Sequence, residues 1–341
     1  MKKSLIALAA LAAVGAASAQ SSVTLYGIAD ISAGVVEREG YADVKDSADS
    51  AGKITSYGNQ RSTGFNKANL QQSRVGIKGS EDLGNGLKAV FNYEHGFNSA
   101  NGAFAGGEAR RAVVGLQGGF GSVLLGRDKL PLYRLAEDTS ADSISDFSTT
   151  NLQGAKRTNG VHYAGNFGGV GISAAAGYDR EDYPTAGGND QQKTTYGLGL
   201  SYATGPFMVG IAGEQDQVEK TPANGVKTKD VTSYGIGGTY DFTAAKVFAN
   251  YMVSDNDLKN SKDKEANLGV KVPFGAASLV AEVGYNDGDN YDGIDYNVGA
   301  NYAFSKRTDA YVRAARVNSF DYDAGNDAET TKYAVGLRHK F

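Results

Sequence analysis

The side chains that could carry covalent or metal chemistry are few, and their spacing does not favour it. The 341 residues contain no Cys, which excludes disulfides, thiolate chemistry and Cys-bound metals. His95, His162 and His339 have no metal-ligand spacing, and neither H-E-x-x-H nor G-x-x-x-x-G-K-[ST] occurs. The serines together with His162 permit a serine–histidine lipase, but no motif singles out a nucleophile. The sequence therefore predicts no catalytic residue, no metal and no cofactor.

The chemistry that remains is that of charge. Residues 128–157 form a long polar segment that carries four carboxylates: Glu137, Asp138, Asp142 and Asp146. Charged side chains that line a water-filled gap would focus an electric field and set an ion preference. The alternative is that these charged side chains are simply solvated. The interpretation therefore depends on which elements position them.

Residues 1–19 have the three parts of a secretory signal peptide: a positive start at Lys2 and Lys3, a short apolar stretch, and small residues ending at Ala19. Cleavage there would leave a single mature domain, 20–341. It would also change the formal net charge from −4 to −6, because 32 basic residues (34 − 2) then face 38 acidic ones. This balance argues against nucleic acid as a partner.

Apolar and polar residues alternate with a period of two along the mature chain, as in strands that have one apolar face. Val75 and Ile77 point one way while Arg74, Gly76 and Lys78 point the other. Sixteen such runs occur, at 23–36, 73–79, 87–97, 111–117, 121–127, 158–166, 170–180, 194–203, 206–217, 230–241, 245–255, 264–273, 276–286, 293–304, 308–318 and 333–341. An even number of strands allows antiparallel closure into a barrel.

The links between these runs alternate between two kinds. Seven are tight turns rich in Gly, Asn, Asp and Pro, and eight are longer, polar and acidic, including 38–67 and 128–157. Transmembrane barrels have this asymmetry, with short periplasmic turns and long external loops. No apolar run after Val14 approaches the ~20 residues of a membrane-spanning helix. The predicted fold is an all-β, sixteen-stranded antiparallel transmembrane barrel.

Several segments resemble general trimeric porins of Gram-negative bacteria, of the betaproteobacterial and neisserial type. They span the mature chain: SVTLYG at 22–27, SRVGIKGSEDLGNGLKA at 73–89, VGL at 114–116 with FGSVLLGR at 120–127, and VGLRHKF at 335–341. The resemblance implies a homotrimer in outer-membrane lipid and lipopolysaccharide, and a third loop, 128–157, folded into the lumen. The first loop, 38–67, is longer than the family pattern.

The resemblance also implies a constriction in which wall arginines face the third loop. Arg74 is the best match, and alternation puts Lys78 on the same face. The next position matches Arg110 or Arg111; alternation favours Arg111, while motif spacing leaves both open. The third would be Arg157, although parity points Lys156 inward. These residues would face the acidic set of Glu137, Asp138, Asp142 and Asp146.

The terminal residue Phe341 lies on the apolar face of the last strand, and in outer-membrane proteins such a residue is recognised by the barrel-assembly machinery. The predicted function is passive diffusion of ions and small hydrophilic solutes, with a weak preference for anions. The alternatives are a solute-specific channel, a barrel phospholipase and an adhesin.

Overall fold

A computed structural model of the chain describes residues 22–42, 57–65, 68–142, 145–150, 156–181, 190–221, 227–257, 260–289, 292–321 and 326–341. The predicted signal peptide, 1–19, lies outside these residues. The strands are β1 (Ser22–Ala42), β2 (Tyr57–Phe65), β3 (Arg74–Gly84), β4 (Leu87–Gly96), β5 (Arg111–Gly118), β6 (Gly121–Lys129), β7 (Arg157–Phe167), β8 (Val170–Glu181), β9 (Asp190–Thr204), β10 (Phe207–Thr221), β11 (Lys227–Asp241), β12 (Lys246–Asn256), β13 (Ser261–Phe274), β14 (Ala277–Gly288), β15 (Asp292–Ala303), β16 (Thr308–Asp321) and β17 (Asn326–Lys340). Helix α1 (Pro131–Asp138) lies between β6 and β7. No helix among the described residues is long and apolar enough to cross a membrane.

The strands form one closed antiparallel sheet. The last strand, β17, pairs with β1 from Ile28↔Lys340 to Glu39↔Glu329. Strand β1 also pairs with β3 along Ser22–Ile28 and with β2 along Ala33–Ala42. Because β2 and β3 lie end to end along the same neighbour, the seventeen described segments fill sixteen positions. The predicted sixteen-stranded barrel is confirmed, because β1 pairs with β17 on one side and with β3 on the other and so closes the sheet.

The barrel is apolar outside and polar inside. On the outer face Val114 is 59% exposed and Leu337 47% exposed. On the inner face Arg313 is 1% exposed and Asn297 2% exposed. A soluble sandwich would bury the apolar face instead, so the period-two pattern is confirmed as that of a membrane barrel.

The tight turns lie where the sequence predicts them, but several strands run further into the predicted loops. The Asn85–Gly86 turn between β3 and β4 has positive φ at both residues (53° and 77°), as a two-residue hairpin requires. The first predicted loop, 38–67, is wrong in its bounds because β1 continues to Ala42 and β2 occupies Tyr57–Phe65. The sequences REGYA at 38–42 and YGNQRSTGF at 57–65 lack the regular apolar–polar alternation that marks a lipid-facing strand.

The third loop, here 130–156, enters the barrel as predicted. Leu132 and Leu135 of α1 are buried with Ala212 of β10 and Met252 of β12. The wall is glycine-rich where the loop passes: a Cβ on Gly237 would lie 2.7 Å from Thr139 Oγ1. The missing side chain makes this close approach possible, and the loop therefore narrows the lumen.

Candidate pore constriction

A cavity of about 660 Å³ in the lumen brings together residues of both predicted charge sets. Arg74, Arg110 and Arg157 line it, together with Glu137 and Asp146 of the third loop. Arg74 is the first residue of β3 and Arg157 is the first residue of β7. Three guanidinium groups and two carboxylates therefore share one water-accessible space.

Arg74 and Arg110 share a single carboxylate. Glu94, on the inner face of β4, lies 3.5 Å from Arg74 Nε through Oε2 and 2.9 Å from Arg110 Nε through Oε1. Gln72 also positions both: Arg74 Nη1 donates to its backbone oxygen at 3.1 Å, and Arg110 Nη1 donates to its Oε1. The two arginines together keep one uncompensated positive charge.

Arg157 is held by an aromatic ring. Its guanidinium carbon lies 4.6 Å from the centroid of Tyr133, and Nη2 donates to the Tyr133 hydroxyl at 3.3 Å. Arg157 Nε is buried and has no hydrogen-bond partner among the described residues. Lys129 lies 5.0 Å from the same centroid, and its Nζ is 2.5 Å from Glu137 Oε2. Glu137 is therefore already neutralised.

Arg111 and Lys78 lie elsewhere in the lumen. Both line a second cavity of about 320 Å³. Arg111 Nη2 is 2.9 Å from Asp128 Oδ2, and Lys78 Nζ is 5.1 Å from the ring centroid of Tyr26. Of the two arginines that the sequence left open, Arg110 lines the cavity of Arg74. Lys156, which parity points inward, donates to Asp216 Oδ2 at 2.7 Å.

The four predicted acids divide by position. Glu137 and Asp146 line the cavity of Arg74. Asp138 is exposed in the lumen and is not part of that lining. The pKa of its carboxyl group is raised above the usual value, mainly by partial desolvation and secondly by the negative charge of Glu137. Asp142 is buried between the loop and the wall, away from the cavity.

Asp142 fastens the loop to the wall. Arg313 of β16 donates from Nε and Nη2 to its two carboxylate oxygens, both at 2.8 Å, and Asn297 Nδ2 donates to Oδ2 at 3.0 Å. Glu282 Oε1 accepts from Ser140 Oγ at 2.7 Å and from the Ala141 backbone N–H at 2.6 Å. Alternation places Arg313, Asn297 and Glu282 on the inner face, but no sequence signal pairs them with the loop.

The chain between β2 and β3 also enters the lumen. We call its described part, 68–73, the lumenal segment. Asn69 N–H donates to Asp146 Oδ2 at 2.7 Å, and Asp146 N–H donates to Asn69 O at 3.2 Å. Ala68 and Phe147, both 0% exposed, belong to one buried cluster. The lumenal segment thus holds the far end of the third loop, a role that the sequence did not reveal.

Phe341 closes the barrel seam. Its N–H donates to Gly27 O at 3.1 Å and its carbonyl oxygen accepts from Gly27 N–H at 3.0 Å. A Cβ on Gly27 would lie 2.3 Å from the Phe341 ring, so the ring covers this glycine. The terminal residue therefore completes the pairing of β1 and β17.

Comparison with known proteins identifies this architecture. The sequence profile of the Gram-negative porin family matches residues 6–321. The chain belongs to this family. Outer membrane porin protein 32 of Delftia acidovorans is 31% identical over 374 aligned residues, and Major outer membrane protein P.IB of Neisseria lactamica is 34% identical over 366, each alignment covering 100% of both chains.

The porin also shares its fold with a solved structure described as the anion-selective porin from Comamonas acidovorans. The TM-score is 0.72 at 24% identity, covering 94% of this chain and 100% of that one. The porin resides in the Gram-negative outer membrane and is a passive diffusion channel, not an enzyme. The phospholipase and adhesin alternatives are thereby set aside.

Proposed function

We propose that the cavity lined by Arg74, Arg110 and Arg157 is the constriction of this diffusion porin, and that it confers a weak preference for anions. The observation that carries the proposal is the charge balance around the cavity. Its lining carries three positive charges, those of Arg74, Arg110 and Arg157, and two negative ones, those of Glu137 and Asp146. The net charge of +1 (3 − 2) favours anions, and low-dielectric walls focus its field.

The expected anion preference is weak because the net charge is small. One uncompensated charge in a solvated gap is partly screened by salt, whose Debye length is ~10 Å at 0.1 M. A strong filter would need a ring of like charges, whereas the described lining carries charges of both signs. The solved Comamonas porin is described as anion-selective, which agrees in sign with the proposal.

The first test is the reversal potential of single channels in a KCl gradient across a planar bilayer. We expect unitary conductance steps and a chloride-to-potassium permeability ratio of about two to three, since one screened charge biases entry only modestly. A reversal potential of the cation sign would contradict the proposed constriction. Saturation of the flux of a neutral solute would instead favour the solute-specific alternative.

We also propose that residues 1–19 are removed on export and that the mature chain assembles as a homotrimer in contact with lipid and lipopolysaccharide. Family membership supports the assembly, and a solved trimer form of OmpT from Vibrio cholerae shares the fold with a TM-score of 0.61 at 15% identity. Conductance steps that occur in threes, and cross-linking to a trimer, would test it.

We further propose that Phe341 is the barrel-assembly signal, supported by its place at the seam with Gly27. Phe341→Ser should slow assembly and lower the yield of folded porin several-fold, because it removes the terminal aromatic ring. The measurement is the folded fraction on unheated gels after export. Phe304→Ser is the control, since Phe304 is an exposed aromatic residue at a tight turn. Equal yields of the two variants would remove the special role of Phe341.

A further inference from the structure

We propose that the constriction cavity is a binding site for small zwitterions that carry one carboxylate and one ammonium group, as α-amino acids do. The inference rests on the proposed constriction and adds a solute class to it. The cavity, of about 660 Å³, lies within the ~300–1,000 Å³ typical of small-molecule sites. Unused hydrogen-bonding atoms and a separation of charge along its lining carry the argument.

The first unused atom is a donor on the wall. Arg157 Nε is buried without a hydrogen-bond partner among the described residues, although the guanidinium is fixed against Tyr133. A charged group that lacks a hydrogen bond is costly, and a carboxylate in the cavity that Arg157 lines would give its guanidinium an ionic partner. Arg74 and Arg110 add positive charge to the same lining because they share only Glu94.

Hydrogen-bond acceptors line the cavity on the lumenal segment and on the third loop. Gln71 Oε1, on the lumenal segment, is buried and likewise has no partner among the described residues. Asp146 is exposed to the cavity; among the described residues its Oδ2 accepts from the backbone N–H of Asn69, and Lys332 interacts with its charge. Lys332 donates to the backbone oxygen of Asp146 at 2.5 Å, but it is not part of the cavity lining. An ammonium group would suit these acceptors.

The two sets of groups differ in sign and in the elements that carry them. Arginines come from β3, β7 and the residue before β5, whereas the acceptors come from the lumenal segment and the third loop. An anion can satisfy only the arginines, and a neutral solute gains no charge contact. A zwitterion can engage both sets, and the field between them orients its dipole.

Three solutes with the same three-carbon skeleton separate these possibilities: L-alanine, lactate and lactamide. The experiment measures the flux of each labelled solute into liposomes that contain the full-length porin, at low concentration and in competition with unlabelled solute. We expect saturable, competed L-alanine flux, about threefold above that of lactamide, since a solvated charge contact is worth a factor of ~2–5. Equal flux of L-alanine and lactamide, or a stronger preference for lactate, would overturn the inference.

Asp146→Asn tests the acceptor side. Asparagine keeps an oxygen that can accept from Asn69 N–H but removes the charge that attracts ammonium. We expect the L-alanine advantage over lactamide to fall to near one while lactate flux is kept or raised. Gln71→Leu should reduce the L-alanine advantage alone. Asp138→Asn is the matched control, because Asp138 is an exposed acid of the same loop outside the cavity lining.

Unheated gels establish that each variant is folded, and the KCl reversal potential is measured on the same samples. An anion-sided reversal potential with unsaturable L-alanine flux would refute the zwitterion site but leave the constriction intact. A cation-sided potential together with unsaturable flux would refute both. An L-alanine advantage that survives Asp146→Asn would also overturn the inference, since the charge separation would then not be its cause.

Discussion

Replacing Arg313 by methionine should widen and destabilise the pore more than any other single change. Arg313 is 1% exposed and makes two 2.8 Å hydrogen bonds to Asp142 of the third loop. Removing one partner of a buried ion pair leaves the other charge uncompensated, which costs about 3–5 kcal/mol. The loop can relieve that cost by moving its 139–142 stretch away from the wall. We therefore expect a larger and noisier single-channel conductance.

The barrel itself should survive this substitution. Its strands are joined by continuous ladders of backbone hydrogen bonds. Residue 313 pairs with Gly299 and Ala334 through its backbone, and this pairing does not depend on the arginine side chain. Arg338→Met is the matched control, because Arg338 is another lumenal arginine that binds Asp309 at 3.0 Å through two nitrogens, away from the third loop. Conductance in Arg313→Met that equals the wild-type value would show that other contacts hold the loop.

A double variant refines the result. Asp142→Leu combined with Arg313→Met removes both charges, and apolar replacement of a buried pair is often neutral or stabilising. We expect conductance noise in the double variant to fall back towards the wild-type level. Noise that stays as high as in Arg313→Met would mean that hydrogen bonding by Asp142 to Asn297, rather than the ion pair, fastens the loop.

The barrel was predictable because lipid imposes one simple demand on every strand. Alternate residues must be apolar wherever the outer face meets hydrocarbon, so Val114 and Leu337 reveal their orientation without any knowledge of their neighbours. The demand ends at the membrane surface. The sequences at 38–42 and 57–65 carry no such alternation, so the pattern predicts a loop there although the backbone continues as strand.

The site was less predictable than the fold. Alternation assigns both Arg74 and Arg313 to the lumen, but it does not distinguish a residue of the proposed constriction from a buried residue that binds the third loop. What separates them is the path of the third loop, which depends on long-range contacts such as Thr139 against Gly237. Arg110 precedes β5, so parity counted within that strand cannot place it. The lumenal segment has no pattern of its own because its partners, Asp30 and Asp146, are distant in sequence.

Substituting both Arg74 and Arg110 by glutamine should reverse the ion selectivity. The two arginines share Glu94, so their removal leaves that carboxylate without its cationic partners. The charge around the cavity then changes from +1 to −1 (1 − 2), and the favoured ion changes with it. We expect a reversal potential of the cation sign in a KCl gradient, a larger shift than either single substitution produces.

The matched comparison is the double variant Lys78→Gln with Arg111→Gln. It also removes two positive charges from the lumen, but these two residues line the second cavity. If position matters, this variant should shift the reversal potential less than the Arg74 and Arg110 double variant does, because Lys78 and Arg111 do not line the proposed constriction. Equal shifts in both doubles would mean that total lumenal charge, and not the constriction, sets selectivity.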